Sequence, residues 1–152
     1  MAIADLAKHD ILDLLLGQGV SDDRKGQYLY GYMEAFMGFL STQMTEKLKE
    51  EDVFAMQKIL EDPEVSPDKI EQFYRQRVPD YDKYLFAATL AFKKDFLLSY
   101  YRKMLEEMVK GKHASVPLWI QLIATAEEDK WELVARIVKQ IEDTYTQPPA
   151  TL

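Results

Sequence analysis

The stretch Tyr28–Leu40 constrains the fold of this chain more than any other segment. It contains five aromatic residues and two glycines, and Glu34 is its only charged residue. A helix of this length would extend roughly 20 Å at about 1.5 Å per residue, whereas the hydrocarbon core of a bilayer is about 30 Å thick. The apolar surface of the predicted helix must therefore be covered by protein, either by the rest of the chain or by a partner.

Length and composition favour one soluble domain. With 152 residues, the chain can bury roughly 70% of the surface that its unfolded form exposes. It has no cysteine, which excludes disulfides, thiolate metal sites and a cysteine nucleophile. The segment Met1–Leu16 lacks the basic start of a signal peptide, and three aspartates interrupt its apolar residues. We therefore expect a soluble, cytoplasmic protein that does not cross a membrane.

The charge balance disfavours a nucleic-acid partner. The chain has 19 basic and 26 acidic residues, which gives a formal net charge of −7. Phosphate backbones attract basic surfaces, so an acidic chain is a poor candidate for binding them. A solvated acidic surface that keeps the protein soluble explains this balance.

Helix caps, helix breakers and apolar spacing predict an all-α fold, a single-domain helical bundle of six to seven helices with a long central apolar helix. We expect residues 1–146 to form the domain and residues 147–152 to form a flexible tail. The predicted helices are Ala4–Leu16, Asp22–Leu48, Glu50–Glu61, Pro67–Arg77, Asp80–Lys110, Pro117–Glu127 and Asp129–Thr144.

Helix ends carry the clearest local signals. Gly17 is predicted to end the first helix and Ser21 to cap the second. Ser66 followed by Pro67 is the clearest start, because serine accepts from free backbone N–H groups and proline already has a helical φ. Pro79 is predicted to end the helix before it.

The second helix is predicted to be central because two apolar stripes run along it. Gly31 and Gly38 lie on one face, where close approach of another backbone would offset the cost of about 1 kcal/mol that each glycine imposes. A break near Ser41–Thr42 is the alternative interpretation. In the last two helices, Trp119 and Trp131 are predicted to meet in the core, and the apolar stripe of the final helix is Trp131, Val134, Ile137, Val138 and Ile141.

Three segments between Ile11 and Phe96 resemble an uncharacterised family of small, acidic, all-helical bacterial proteins, known only as a domain of unknown function. They read ILDLLLGQGVSDDRKGQYL, LKEEDVFAMQKILED and PDKIEQFYRQRVPDYDKYL. The family's typical features fall here at Leu16-Gly17, Glu50-Glu51-Asp52 and Val78-Pro79-Asp80, while Lys49 replaces the usual serine cap. The resemblance implies a helical fold and implies no activity.

The two histidines lie in different sequence environments, and each is a candidate for chemistry. Asp5, His9 and Asp13 would share one face of a continuous first helix, where they would form either a divalent metal site or simply its polar face. His113 follows Gly111 without a nearby acidic or nucleophilic companion, so we expect an exposed loop residue. No phosphate loop, serine hydrolase motif or di-iron pattern occurs, and no catalytic residue, metal or cofactor is predicted. An enzyme that uses only carboxylates stays open.

Aromatic and methionine side chains are the candidates for an interface or a ligand site. Tyrosine combines an apolar body with a polar tip, and methionine adapts to irregular partners. The candidates are Tyr28, Tyr30, Tyr32, Met33, Met37, Tyr100, Tyr101 and Met104. The alternative is that they fill the core between the two long helices.

The leading hypothesis is a non-enzymatic protein–protein interaction module, which binds a protein partner or itself as a homodimer. The second is a small-ligand-binding protein or enzyme with a pocket between the two long helices, where Gly31 and Gly38 leave room and tyrosine hydroxyls orient the ligand. A third is a regulator that presents acidic helices to a basic protein, with binding that weakens in salt.

Overall fold

The computed structural model describes residues 2–15 and 22–146. Within them the chain forms a 3₁₀ helix (Ala2–Lys8) and seven α-helices, and it forms no strand. The α-helices are α1 (Ile11–Leu14), α2 (Asp22–Lys47), α3 (Glu50–Leu60), α4 (Pro67–Arg77), α5 (Tyr81–Lys110), α6 (Val116–Glu127) and α7 (Trp131–Thr146). The predicted all-α class is confirmed.

The two long helices are continuous, as predicted. In α2 the hydroxyl groups of Thr42 and Thr45 donate to the carbonyls of Gly38 and Ser41 at 3.0 and 2.7 Å. Each bond joins a side-chain hydroxyl to the backbone carbonyl four residues earlier, a spacing that a continuous helix provides. Because α2 runs unbroken from Asp22 to Lys47, the alternative of a break near Ser41–Thr42 is wrong.

The start of α4 follows the predicted capping pattern. Ser66 is the N-cap, and its hydroxyl oxygen accepts from the backbone N–H of Lys69 at 3.3 Å. Pro67 then occupies the first turn, and α4 ends at Arg77. By contrast, Lys49 precedes α3 without a side-chain capping bond, in agreement with the missing serine.

The prediction of one continuous first helix that begins at Ala4 is wrong. The 3₁₀ helix ends at Lys8, and Asp10 becomes the N-cap of α1 because its carboxylate accepts from the N–H of Leu12 at 2.8 Å. A hydrogen bond from a backbone N–H to an aspartate side chain competes with the hydrogen bonds of a continuing helix. The chain therefore turns at Asp10, although the apolar spacing favours one helix.

Left-handed backbone positions separate the last helices. Asp129 has a φ of 60°, so it cannot open a helix, and α7 begins at Trp131 instead of the predicted Asp129. Lys112 has a φ of 50°, and the N–H of His113 reaches back to the carbonyl of Met108 at 2.9 Å. Both connections use the bonding pattern of a Schellman helix end, with a residue other than glycine in the left-handed position.

Several predictions concern residues outside those that the structure describes. They are the helix end at Leu16-Gly17, the cap at Ser21 and the tail at residues 147–152.

The described residues divide into two compact units. The first unit contains the residues up to Tyr32 and those from Leu90 onward, and the second unit is Met33–Thr89. The boundaries fall inside α2 and inside α5, so each long helix contributes to both units. The single domain expected over residues 1–146 stays a prediction.

The core of the first unit is built on the last two helices. Trp119 and Trp131 are both buried in it, as predicted, and α6 contacts α7. The stripe predicted for α7 is buried throughout: Trp131, Val134, Ile137, Val138 and Ile141. Helical periodicity therefore identified the buried face of α7 correctly.

Two donors from α5 satisfy carbonyl groups of the N-terminal segment. The ammonium of Lys93 donates to the carbonyls of Leu6 and His9, and the buried hydroxyl of Tyr101 donates to the carbonyl of Leu14 at 2.7 Å. Burial lowers the pKa of Lys93 and raises the pKa of Tyr101. These bonds join residues more than eighty positions apart in sequence.

The core of the second unit is smaller and rich in aromatic and methionine side chains. Its buried residues are Met44, Met56, Phe73, Tyr74, Val78 and Tyr81. At its edge Arg77 joins α4 to α3, because its guanidinium donates to Asp52 at 3.1 Å and lies 3.8 Å from the centre of the Phe73 ring. The hydroxyl of Tyr84 donates to Gln43 at 2.8 Å and joins α5 to α2.

The surface of α2 is more exposed than its two apolar stripes imply. Among its residues from Gly26 onward only Met44 is buried. A Cβ placed on Gly31 or Gly38 would meet no atom within 4 Å beyond its own helix turn. The predicted close approach of another backbone at these glycines is therefore wrong.

Among the residues that the structure describes, no helix is both long enough and apolar enough to span a bilayer.

We expect Gly31→Ala and Gly38→Ala each to raise the free energy of unfolding by about 1 kcal/mol, because alanine restricts the unfolded chain and meets no obstacle here. Urea denaturation measures the change. Ala35→Gly, also exposed on α2, is the control and should lower stability by a similar amount. A loss of stability in either alanine variant would contradict the finding that the space around these two glycines is open.

We expect stability to fall above pH 10, in part through Tyr101. In the unfolded chain its hydroxyl ionises near the ordinary pKa of 10.0, whereas the raised pKa keeps it protonated in the folded state. The contribution of the protonated Tyr101 hydroxyl to the free energy of unfolding is therefore complete below pH 10. It is lost as pH rises above 10, by about 1.4 kcal/mol per pH unit. Tyr101→Phe should lower stability at pH 7 by about 1 kcal/mol through the lost hydrogen bond, and should make the alkaline decline shallower.

Chemical denaturation between pH 8 and pH 12 measures this slope. Tyr30→Phe removes an exposed hydroxyl and is the control. If the free energy of unfolding declined with pH as steeply in Tyr101→Phe as in the wild-type protein, the assignment of part of this decline to Tyr101 would be refuted.

Candidate functional site

An apolar pocket of about 440 Å³ lies in the second unit. Four helices supply its walls, with α3 and α4 contributing beside the two long helices. The lining residues are Phe36, Met37, Leu40, Ser41, Met56, Leu60, Pro67, Ile70, Glu71, Tyr74, Tyr81, Leu85 and Thr89. A volume of this size falls within the range of about 300–1,000 Å³ that is typical of small-molecule sites.

The floor and the mouth of the pocket differ in exposure. Met56, Tyr74 and Tyr81 are buried and also belong to the core of the second unit, so the floor is continuous with that core. Met37 and Leu60 are 58% and 55% exposed, so both reach into solvent at the mouth. An apolar group that entered the pocket would therefore contact the core directly.

Two of the polar side chains that line the pocket, Glu71 and Thr89, already have partners in the chain. The Glu71 carboxylate accepts from Arg75 at 2.8 Å, and Arg75 also donates to Asp82 at 2.7 Å. The Thr89 hydroxyl donates to the carbonyl of Leu85 at 2.7 Å. Burial raises the pKa of Tyr81, and the Glu71 charge adds to the rise. The lining therefore favours contact with apolar groups.

Four of the eight candidate residues belong to the core of the first unit. Tyr101 is fully buried, and Tyr32 packs against Phe96 with ring centres 4.9 Å apart. Tyr100 and Met104 are partly buried against the same core. Tyr28 lies at its edge, 6.0 Å from the ring of Tyr100.

The other three candidates are exposed on α2. Tyr30 is 70% exposed, and Met33 and Met37 are 57% and 58% exposed. Of all eight candidates only Met37 lines the pocket. The structure thus separates a group that packs in the core from a group that is available to a partner.

Sequence reasoning missed most of the pocket. Leu60, Ile70, Tyr74 and Tyr81 carry the signal of apolar residues at helical spacing, but that signal is the same for a filled core and for an open pocket. The predicted pocket between the two long helices was also incomplete, since α3 and α4 form part of the lining. Neither Gly31 nor Gly38 lines it.

His113 is more constrained than an exposed loop residue. Its Nδ1 lies 2.7 Å from the Ser115 hydroxyl and accepts from the Ser115 N–H at 3.1 Å. The same hydroxyl accepts from Trp119 Nε1 at 3.2 Å, and Ser115 is buried. The expectation of no nucleophilic companion is therefore wrong, although a buried serine that bonds a core tryptophan has a structural role.

The metal alternative at the N-terminus loses its geometric basis. Asp5, His9 and Asp13 would share a face only on a continuous helix, and the chain turns at Asp10. Asp5 pairs with Lys8 at 3.2 Å. Across the described ranges, no group of three or more acidic or histidine side chains is arranged to hold a metal ion.

Comparisons with protein families, with curated proteins and with solved structures found no match. The resemblance to the uncharacterised helical family, and the bacterial origin that it implies, stay predictions.

Proposed function

We propose that this protein is a non-enzymatic, cytoplasmic interaction module whose pocket in Met33–Thr89 receives apolar side chains of a partner protein. The observation that carries the proposal is the pocket itself, with an apolar lining that is continuous with the core. The partner is either another protein or a second copy of this chain.

Exposure at the mouth favours a protein over a small molecule. A small-molecule site typically encloses about 70–90% of its ligand. Here Met37 and Leu60 extend beyond the pocket and are both more than half exposed. A protein partner would cover these side chains as it filled the space between them, and apolar area removed from water contributes about 25 cal/mol per Å².

A small-ligand-binding protein is the second candidate. The pocket volume of about 440 Å³ favours it, since a compact apolar molecule would fit that space. Native mass spectrometry of the protein purified from cells tests this candidate, because a bound compound would add a defined mass. Loss of that mass in Met37→Trp, which narrows the mouth, would support it.

We expect the neutral dye Nile red to bind at a ratio of one to one and to fluoresce when it enters the pocket. Met37→Gln should weaken dye binding about threefold to tenfold, because removal of apolar contact area costs about 1 kcal/mol. Fluorescence titration of the folded protein measures the affinity.

Met33→Gln is the matched control, since Met33 lies one turn away on α2 with nearly the same exposure and does not line the pocket. It should leave dye affinity unchanged. Equal weakening by both variants would mean that the dye binds the outer surface of α2. Failure of the wild-type protein to bind dye would refute an open pocket and the proposal with it.

Self-association is decided by the absolute mass in solution. If the partner is another protein, light scattering on a sizing column should give a monomer over a hundredfold range of concentration. A dimer that Met37→Gln dissociates and Met33→Gln leaves intact would instead assign the pocket to a second copy of the chain.

A further inference from the structure

The connection between α3 and α4 begins and ends beside the pocket and is acidic. Leu60 at the end of α3 and Pro67 at the start of α4 both line the pocket, so the connection leaves the pocket wall at one end and returns to it at the other. Four exposed carboxylates lie on or beside this connection, and we call them the acidic rim: Glu61, Asp62, Glu64 and Asp68.

The acidic rim is not neutralised within the described part of the chain. None of its four carboxylates forms an ion pair there. Lys69 is the one basic residue between Ile59 and Tyr74. Glu71 differs from the rim because it forms an ion pair with Arg75, which it shares with Asp82.

The charge of the whole second unit has the same sign as the rim. Residues 33–89 contain twelve acidic and seven basic side chains, which leaves a net charge of −5 out of −7 for the chain. A surface with this field attracts cationic groups and speeds their approach. The pocket thus combines an apolar interior with a negative border.

We propose that the pocket binds a basic amphipathic helix of a partner protein, with its apolar side chains in the pocket and its lysines or arginines facing the acidic rim. This inference rests on the proposed function, since it specifies the partner of the same pocket. An amphipathic helix presents apolar anchors at positions i, i+3, i+4 and i+7 and can surround them with charge. The apolar lining suits the anchors, and the rim carboxylates, which form no ion pair in the described part of the chain, suit the basic flanks.

A second copy of the chain is a poorer occupant of this pocket. A symmetric dimer uses the same surface on both subunits, so it would bring the two acidic rims toward each other. Like charges placed against each other at an interface cost several kcal/mol. Charge complementarity therefore favours a basic partner.

Three labelled helical peptides test the inference against the full-length protein. The first carries leucines on one face and lysines on the other, the second has glutamate in place of each lysine, and the third has serine in place of each leucine. Fluorescence anisotropy measures their affinities. We expect the leucine–lysine peptide to bind at least tenfold more tightly than either of the others, to displace Nile red and to weaken as salt rises from 50 to 300 mM.

Paired variants locate the electrostatic contribution. Glu61→Gln combined with Glu64→Gln should weaken the leucine–lysine peptide about threefold to tenfold, because two exposed charges are removed from the rim. Glu106→Gln combined with Glu107→Gln is the control, since it removes the same charge from exposed residues of the first unit. The control should leave the affinity unchanged.

The outcomes separate this inference from the proposed function. Equal affinity for the lysine and glutamate peptides would overturn the basic partner and leave the pocket as a docking site. The inference would also be overturned if the serine peptide bound as tightly as the leucine–lysine peptide, or if the two double variants weakened binding equally. Either result would show that net charge alone attracts the peptide. No binding of the leucine–lysine peptide by protein that binds Nile red would overturn the helical occupant, whereas failure to bind Nile red would count against the pocket itself.

Discussion

The carbonyl groups at the ends of the short N-terminal helices are the constraint on which the core of the first unit depends. A helix end leaves up to about four carbonyls without an intrahelical partner, and a 3₁₀ helix followed by one turn of α-helix has two such ends close together. A buried carbonyl without a partner costs about 1–3 kcal/mol. Lys93 and Tyr101 supply donors from α5 to the carbonyls of His9 and Leu14, and the side chains of Leu6 and Leu14 are fully buried in the core of the first unit.

The second unit solves a different problem, because its core continues into an open pocket. Met56, Tyr74 and Tyr81 are buried, yet they also line that pocket. An apolar group that fills the pocket would extend this core instead of covering a separate surface. Binding and the stability of the second unit are therefore linked, since a ligand that binds only the folded state raises the free energy of unfolding by an amount that grows with the ratio of its concentration to its Kd.

Some elements of the fold could be predicted because a short stretch of sequence controls them. The start of α4 depends on Ser66 and Pro67, and the buried face of α7 depends on apolar residues repeated at helical spacing. The same reasoning failed at Asp10 and Asp129, where a single aspartate adopts a capping or left-handed conformation within a run that otherwise favours helix. Such positions depend on competition between local hydrogen bonds, which apolar periodicity does not register.

The sequence by itself determined the helical class and most helix bounds, since capping, proline and periodicity act over a few residues. Only the tertiary structure decided which apolar faces are covered. Tyr30 and Tyr101 are both tyrosines on long helices, yet one is exposed and the other is fully buried with its hydroxyl bonded to Leu14. The pocket is a second such case, because Leu60 joins Ile70 on its wall only through the packing of α3 and α4. Burial depends on contacts between residues distant in sequence, and helical spacing carries no information about which surface lies opposite.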